Sequence, residues 1–462
     1  MSPAAYARAH ASRFVRELQT YLRFPSISTL LAHQSDRRAC AEWIVRHLRE
    51  LGLTVALHPP TSHPIVLARL PSPQPYRPTL LVYGHYDVQP PDPLDQWRSP
   101  PFKPTTRNNN LYARGASDNK GQHFAHIKAI EALLRTGAFP PLNLILLIEG
   151  QEEIGSRDLF PFIRHHARRL RADYILISDT AMFAPRLPAI TYATRGLASL
   201  EVELTGPRHD LHSGVHGGPV SNPANILTHL LATCTDPTGR ITIPGFYDDV
   251  APIKARERRA WRQLPFNPQT YRQLLGLPAL GGEPGYTPLE QRWARPTFEI
   301  NGLTAGYQGT GTKTIIPARA TAKITCRLVP NQNPQHILRL ITRHLRHHCP
   351  RTVRLHINAD AVPWFLTNPD GPGIRAAQHA LQHVFGRPPV MIREGGTLPI
   401  LPAFQHHLRG EVILIGFGLP DDNWHAPNEK FSLTNFHRAI QTTLTLLPLL
   451  AQGRARRAHG GL

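Results

Sequence analysis

The feature that most constrains the fold is a largely apolar run, Leu142–Ile148, that ends directly in acidic residues. Glu149 follows at once, and Glu152 and Glu153 stand side by side three residues later. A short apolar run of this kind predicts a buried strand. Because unpaired carboxylates are costly beside buried surface, the pattern predicts a core strand whose end delivers acids to a place where their charge is compensated.

Three further runs have the same character and predict buried strands: Thr79–Tyr83, Tyr174–Ile177 and Val412–Gly416. Before Leu142–Ile148, apolar residues recur at helical spacing, and Gly137 suits the C-terminal end of that helix. The order strand, helix, strand predicts parallel pairing with a crossover.

The pattern changes near residue 191, where strict alternation replaces continuous apolar runs. Ser199–Gly206 and Ala320–Pro330 alternate, and a helical stretch follows at 334–348. Alternation is typical of an antiparallel sheet with one face open to solvent. We therefore expect an inserted α+β domain at 191–370 between two parts of a first domain, 1–190 and 371–462. The Pro- and Arg-rich stretch 236–298 is not assigned in detail.

Composition narrows the class of protein. The 462 residues are 41% hydrophobic and 18% charged, which suits two or more globular domains. No run approaches the roughly 18 apolar residues of a membrane span, and residues 1–24 resemble an amphipathic helix and not a signal peptide. We expect a cytoplasmic protein with no membrane partner.

The scattered cysteines, which form no C-x-x-C pair, are expected to be free thiols: Cys40, Cys234, Cys326 and Cys349.

The formal net charge of +20 raises the question of nucleic-acid binding. The basic residues are spread along the whole chain, and 46 Pro and 26 His indicate a general compositional bias. We therefore expect no nucleic-acid role. The basic tail, residues 454–462, is expected to be disordered.

Polar residues with metal-binding chemistry follow each predicted buried strand. Because the carboxyl ends of parallel strands line one crevice, we expect these side chains to meet there: His85, Asp87, Asp118, Glu152, Glu153, Asp179 and His425. So many carboxylates would repel one another without divalent cations. Imidazole and carboxylate donors without thiolates suit Zn or Mn, and their number suits two ions with one bridging carboxylate. Adjacent side chains of an extended chain diverge, so one glutamate of the doublet is expected to bind metal and the other to act as a base.

The segments that carry these residues resemble a known family. In chain order they are GHYDVQP, RGASDNKG, EGQEEIGS, ISDT, HDLHSGVHGG, RLVP, REGGTLP and WHAPNE. Together they resemble the co-catalytic di-metal peptidases, which include carnosinases, cytosolic dipeptidases, aminoacylase, acetylornithine deacetylase and succinyl-diaminopimelate desuccinylase. The match runs from about residue 80 to 430, and its wording is most similar to the dipeptidase branch. It implies an α/β zinc-peptidase-type catalytic domain, with a mostly parallel central sheet flanked by helices, and an inserted lid and dimerisation domain.

The resemblance also implies roles for these residues. His85, Asp118 and Asp179 would hold one ion, and Asp118, Glu153 and His425 the other, with two divalent ions per chain, Zn first and Mn or Co as alternatives. Asp87 would orient His85, and Glu152 would be the general base. His212 would stabilise the oxyanion from the partner subunit of a homodimer. Four residues match substrate-binding positions: Thr314, Arg327, Gly396 and Thr397.

The implied activity is metal-dependent hydrolysis of dipeptides or short peptides with a free C-terminus. A deacylase of N-acyl amino acids on the same scaffold is the alternative. A catalytically silent scaffold predicts a missing ligand or base, and the sequence retains all of them. Two departures from the family pattern, His216 and Thr397, could alter the pocket without touching an expected ligand.

Overall fold

The structure, a computed structural model, describes residues 1–58, 63–70 and 76–453, so the tail expected to be disordered lies outside the described residues. The chain divides into two compact units. Unit 1 consists of Met1–Tyr192, Thr367–Met391 and Pro399–Leu462, and unit 2 of Ala193–Leu366 and Ile392–Leu398. Within the described ranges, no helix combines the length and the apolar character needed to cross a membrane.

The strands of the described residues are, in chain order, β1 (Thr54–His58), β2 (Ile65–Leu70), β3 (Thr79–His85), β4 (Thr105–Arg107), β5 (Asn110–Tyr112), β6 (Asn143–Glu149), β7 (Tyr174–Ile177), β8 (Ala189–Thr194), β9 (Gly196–Thr205), β10 (Leu211–His212), β11 (Glu299–Ala305), β12 (Ile315–Ile316), β13 (Arg319–Leu328), β14 (Arg354–Val362), β15 (Phe365–Leu366), β16 (Val390–Glu394), β17 (Glu411–Ile415) and β18 (Lys430–Ser432).

The α-helices are α1 (Pro3–Ala9), α2 (Ala11–Leu22), α3 (Gln34–Glu50), α4 (Lys120–Arg135), α5 (Leu159–Leu170), α6 (Ser213–His216), α7 (Pro223–Ala232), α8 (Ala255–Arg262), α9 (Pro268–Leu274), α10 (Pro288–Ala294), α11 (Pro334–His348), α12 (Pro372–Phe385), α13 (Ile400–Ala403) and α14 (Leu433–Ala451).

A large mixed sheet organises unit 1. Its strand order is β1-β2-β6-β3-β7-β17-β8-β15, and β16 also pairs with β8. The four strands β6, β3, β7 and β17 pair in parallel, whereas β1, β2 and β8 join antiparallel. The predicted α/β class is confirmed, and the parallel centre places the carboxyl ends of four buried strands along one edge.

Helix α4 is the central helix of unit 1, packed against β3, α1, α2 and α14. Every residue from Lys120 to Leu133 is buried, including several with polar side chains. The helix stops as the sequence predicts: Gly137 has a positive φ of 67°, and the Ala138 N–H donates to Leu133 O at 2.9 Å. This is the hydrogen bond of a Schellman motif, in which a left-handed glycine satisfies the last carbonyls.

Glycines at the ends of β3 and β6 allow close packing near the strand ends. A Cβ at Gly84 would lie 2.5 Å from Cγ of His123, and a Cβ at Gly150 would lie 2.3 Å from the ring of Tyr86. Neither approach is possible with a side chain at the glycine. Both glycines stand beside the polar residues that the sequence analysis singled out.

Unit 2 contains a four-stranded antiparallel sheet in the order β11-β13-β9-β14. Burial alternates along β9 and β13, and the inward side chains pack against α7 and α11. The predicted antiparallel sheet and the helix at 334–348 are therefore confirmed. The Gly-Gly-Thr run lies in Ile392–Leu398, which belongs to unit 2.

Two details of the prediction need correction or completion. The amphipathic N-terminal segment forms two helices, α1 and α2, because the backbone of His10 leaves helical geometry between them. The unassigned stretch 236–298 contains the short helices α8, α9 and α10. The four cysteines are free, and three of them are buried, as predicted.

Candidate metal centre

The parallel strands of unit 1 deliver the predicted polar residues to one edge of the sheet. His85 is the last residue of β3, and Asp179 follows β7 by two residues. The glutamate doublet lies just after β6, in a 3₁₀ turn from Glu152 to Ile154. Asp118 stands two residues before the start of α4, and His425 lies in the loop between β17 and β18.

The first group of possible metal ligands is His85, Asp118 and Asp179, all buried. His85 Nε2 lies 3.2 Å from Asp118 Oδ1 and 3.8 Å from Asp179 Oδ1. One nitrogen and two carboxylate oxygens thus converge on a common point, which suits a borderline divalent ion.

The second group is Asp118, Glu153 and His425. His425 Nε2 lies 2.8 Å from Asp118 Oδ2 and 3.3 Å from Glu153 Oε2. Asp118 therefore points one oxygen at each histidine, which is the arrangement of a carboxylate that bridges two ions. The structure brings all five predicted ligands together.

Two observations test whether these residues fit metal ions. Nε2 of His85 is fully buried and has no hydrogen-bond partner among the described residues, although Nδ1 is hydrogen-bonded. Burial, reinforced by the nearby Asp118, raises the pKa of Glu153 to about 7. An unpartnered ring nitrogen beside mutually repelling carboxyl groups is what a divalent cation would satisfy.

Asp87 holds neighbouring residues of the candidate metal centre through both its backbone and its side chain. Nδ1 of His85 donates to the Asp87 backbone oxygen at 3.1 Å, closer than the 3.4 Å to Asp87 Oδ1. This contact leaves Nε2 of His85 facing the ligand group. The buried Asp87 carboxylate accepts hydrogen bonds from the backbone N–H groups of Glu152 and Glu153, each at 3.1 Å. Asp87 therefore also holds the glutamate doublet.

The two glutamates of the doublet have different surroundings. They lie in a 3₁₀ turn, so the expectation that they are part of an extended chain is wrong. Successive side chains of a 3₁₀ turn still point about 120° apart, so the two glutamates face different directions as expected. Glu153 contacts His425 and accepts a hydrogen bond from Gln89 Nε2 at 2.8 Å. Glu152 belongs to neither ligand group. Burial, with added repulsion from Asp179, Glu153 and Asp118, raises the pKa of Glu152 well above its usual value.

Two supporting residues were missed by the sequence analysis. Asn119 Nδ2 donates to Asp179 Oδ1 at 2.9 Å, and Asn119 Oδ1 accepts from the backbone N–H of His85. Gln89 supports Glu153 as described above. Both belong to segments that the analysis quoted, GHYDVQP and RGASDNKG, but a polar residue beside a ligand has no signature of its own.

A third group of acids and imidazole is explained without a metal. Glu17, His47 and Glu131 lie within ligand distance of one another. The buried ammonium of Lys128 lies among them, 2.6 Å from His47 Nε2 and 2.8 Å from Glu131 Oε2, and it also bonds Glu17. This network ties α2, α3 and α4 together.

In unit 2, the structure places His212 beside the segment of Thr314. His212 pairs with Ile315 in a two-stranded ladder, and the Ser213 N–H donates to Thr314 O at 3.0 Å. His212 and Thr314 are both exposed. The Gly214 N–H donates to His212 Nδ1 at 3.0 Å, which leaves the other ring nitrogen, Nε2, to carry the proton in the neutral ring.

The remaining predicted substrate residues form a second cluster in unit 2. Arg327 Nη1 donates to Thr397 Oγ1 at 2.7 Å, and that hydroxyl donates to Arg195 O at 2.7 Å. The Arg195 guanidinium donates to Gly395 O at 2.9 Å, and Gly396 N–H faces Glu394. Arg195 thus supports the Gly-Gly-Thr run from both its backbone and its side chain.

Comparisons with known proteins agree with this geometry. The chain matches the family described as Peptidase family M20/M25/M40 over residues 81–448. It is 32% identical to the Cys-Gly metallodipeptidase dug1 of Schizosaccharomyces pombe, over 95% of each chain. It is 36% identical to the human Beta-Ala-His dipeptidase, over 81% of this chain and 75% of that protein. Its structure is similar, with a TM-score of 0.85, to the M20 family metallo-carboxypeptidase Sso-CP2 from Sulfolobus solfataricus, which is 32% identical and matches over 95% of this chain and 99% of that one.

Proposed function

This chain belongs to peptidase family M20/M25/M40, and we propose that it is a metallodipeptidase that hydrolyses dipeptides or short peptides with a free C-terminus. Family membership confirms the predicted resemblance and the prediction of a hydrolytic enzyme. Two of the relatives are named as dipeptidases and the third as a metallo-carboxypeptidase, which supports a peptide substrate.

The observation that carries the proposal is the pair of ligand groups that share Asp118. His85 and Asp179 complete one group, and Glu153 and His425 complete the other. We assign one divalent ion to each group, with zinc as the first choice for nitrogen and oxygen donors and manganese or cobalt as alternatives. When bound, these ions would lower the pKa of the attacking water and polarise the carbonyl of the scissile bond.

Glu152 is the proposed general base. It accepts a proton from the attacking water and delivers that proton to the departing amine. Its burial favours proton uptake, because burial raises the pKa of its carboxyl group. Asp87, which bonds the backbone of both glutamates, keeps the base in place.

We propose that His212 donates a hydrogen bond to the oxyanion of the reacting carbonyl, from the partner subunit of a homodimer. The contact from the Gly214 N–H to Nδ1 supports this role, because it leaves Nε2–H as the donor. In this proposal unit 2 is the lid and dimerisation domain. The cytoplasmic location inferred from the sequence remains a prediction.

Arg327 is proposed to bind the free carboxylate of the substrate. Its planar guanidinium suits a carboxylate, and the bond from Nη1 to Thr397 holds it beside the Gly-Gly-Thr run. The backbone of Gly396, which has no side chain, and the hydroxyl of Thr397 offer further contacts to the same group. Thr314 is proposed to contact the substrate near His212.

A single panel of substrates tests the function. Purified protein is stripped with chelator, resupplied separately with Zn, Mn or Co, and assayed on dipeptides, tripeptides, their C-terminal amides and N-acyl amino acids. We expect metal-dependent cleavage of free-acid dipeptides. Hydrolysis of N-acyl amino acids with no cleavage of any dipeptide would favour the deacylase alternative. Absence of hydrolysis with every ion would contradict both.

A further inference from the structure

Glu429 lies where two ligand-bearing loops of unit 1 meet. It directly precedes β18, which pairs antiparallel with β5. That pairing extends by one bond, from the Ala113 N–H to Glu429 O at 3.1 Å. Glu429 follows His425 by four residues. The strand pairing therefore places Glu429 beside the start of the loop that ends in Asp118.

The Glu429 carboxylate is fully buried and saturated with donors. Oε1 accepts from the backbone N–H groups of Ser117 at 2.8 Å and Asp118 at 3.0 Å. Oε2 accepts from the Gly115 N–H and from Arg114 Nη1, both at 2.8 Å. Four donors around two oxygens define both the position and the orientation of this loop.

Arg114 connects the same carboxylate to the second loop. Its Nη2 donates to the backbone oxygen of Ala426, the neighbour of His425, and to that of Pro90, each at 3.3 Å. The buried ion pair between Arg114 and Glu429 has a 2.8 Å contact. One charge-neutral unit thus holds the backbone at Asp118 and the backbone next to His425.

Glu429 is not itself placed as a ligand. Its oxygens face backbone N–H groups, whereas the carboxylate of Asp118 faces the imidazoles of His85 and His425. We infer that Glu429 is a positioning residue for the metal centre: it fixes the bridging Asp118 relative to His425, so that both groups can hold an ion at once. This inference rests on the proposed metal-dependent function.

The test is Glu429→Gln. The amide nitrogen of glutamine cannot accept a hydrogen bond, so two of the four donors lose their acceptor. The dissociation constants of Zn and Mn are measured by chelator competition, together with the Tm of the metal-free protein. Loss of a residue that orients metal ligands typically costs 10–100-fold in affinity, and we expect a loss of that size for at least one ion.

Glu411→Gln is the matched control. Glu411 is also buried in unit 1, and it accepts from the N–H groups of Gly373 and Ile374 at 3.0 Å each. It lies at the start of β17, the end opposite to the ligand loops. Its variant should lower the Tm of the metal-free protein yet leave both dissociation constants within about twofold of wild type.

Three outcomes would overturn the inference. The first is a Glu429→Gln variant that binds two ions with wild-type affinities. The second is equal loss of affinity in Glu411→Gln, which would assign the effect to general destabilisation. The third concerns a Glu429→Gln variant that does not fold, in which case Arg114→Lys is measured instead. Lysine keeps the charge but cannot donate to both Ala426 and Pro90 as the guanidinium does. Unchanged metal affinities in this variant would contradict the inference. A wild-type protein that binds no divalent ion would instead refute the proposed metal centre itself.

Discussion

At the scale of single residues, the glutamate doublet offers the sharpest comparison. Glu153 contacts His425, whereas Glu152 belongs to neither ligand group. Glu152→Gln should therefore keep two ions per chain while kcat falls about 10²–10⁴-fold, the usual contribution of general acid–base catalysis. Glu153→Gln should lose affinity for one ion. Elemental analysis and kcat on one dipeptide check both.

The control for the doublet is Glu50→Gln, an exposed glutamate of α3 that should change neither the metal content nor kcat. The opposite result would show that the proposed roles of Glu152 and Glu153 are exchanged. In that case Glu152→Gln would lose metal, and Glu153→Gln would keep both ions and only slow the reaction.

The carboxylate clamp makes a second prediction at this scale. Removing one partner of a buried charged hydrogen bond costs roughly 2–5 kcal/mol, so Arg327→Ala should lower kcat/KM for a free-acid dipeptide at least about 30-fold. C-terminal amidation should cause a similar fall in wild type and little further loss in the variant. Lys323→Ala, on the same strand but exposed, is the control. Equal cleavage of acid and amide by wild type would rule out the clamp.

The convergence of the five proposed ligands could be predicted from sequence, because four of them lie at or after the end of a recognisable buried strand and Asp118 stands just before a helix. The contacts that hold the backbone of the ligand segments could not be predicted. The carboxylates of Asp87 and Glu429 act on backbone N–H groups of segments far away in sequence. Any residue supplies a backbone N–H, so no residue type marks the partner, and only the fold reveals the pair.

At the scale of elements, the buried helix α4 predicts a pH dependence of stability. His126 is fully buried, and its ring nitrogens contact Thr443 Oγ1 at 2.7 Å and Ser178 Oγ at 2.8 Å. Burial lowers the pKa of His126 to about 3, against about 6.5 in an unfolded chain.

The sign follows from proton binding. Below pH 6.5 the unfolded chain takes up a proton at His126 that the folded protein refuses until about pH 3. Stability from this residue is therefore complete above pH 6.5 and falls with decreasing pH, by up to about 1.36 kcal/mol per pH unit. His126→Gln, which can keep hydrogen bonds but does not titrate, should lose this dependence.

Urea unfolding of metal-free protein at several pH values between 7 and 5 measures the effect. The stability difference between wild type and His126→Gln should shrink steadily as the pH falls. His209→Gln, an exposed histidine, should follow wild type at every pH. A constant difference between wild type and His126→Gln would show that the histidine titrates alike in both states.

Elements with a clear hydrophobic pattern were predictable, and elements without one were not. The boundaries of Tyr174–Ile177 and Pro334–His348 agree with prediction because continuous apolar or amphipathic patterns define them. Helices α8, α9 and α10 have eight, seven and seven residues. Two turns of helix are too few to establish a period against a background rich in Pro and Arg.

At the scale of the whole molecule, the proposed homodimer can be tested by mixing two inactive variants. Glu152→Ala lacks the base, and His212→Ala lacks the oxyanion donor. If His212 acts across subunits, each hybrid dimer has one intact site. Random exchange makes half of the dimers hybrid, so activity should recover to roughly a quarter of wild type.

Mixing Glu152→Ala with the double variant lacking both residues is the control, and it should recover nothing. Subunit exchange is verified with two differently tagged chains. If tagged hybrids form and activity stays absent, each site is built within a single chain. If the active protein is a monomer at the assay concentration, His212 cannot act from a partner subunit, and the proposal is excluded.

The architecture as a whole was predictable from a change of pattern. Continuous apolar runs indicated the parallel centre of the first sheet, and alternation after residue 191 indicated the antiparallel sheet of unit 2. The antiparallel flank formed by β1 and β2 was not predicted. β1 lacks the continuous apolar character of the four central strands, and the antiparallel pairing of β2 with β6 depends on contacts that neither strand's own sequence specifies.

The position of β17 in the sheet has a consequence for the newly made chain. β17 lies between β7 and β8, but β8 ends at Thr194 and β17 begins only at Glu411. At about 5–20 residues per second, a ribosome needs roughly 10–40 s to cover that interval. Throughout it, the apolar edges of β7 and β8 await their partner. The nascent protein thus carries open strand edges for nearly half of its synthesis, and a chaperone that shields them during translation should raise the yield of folded protein.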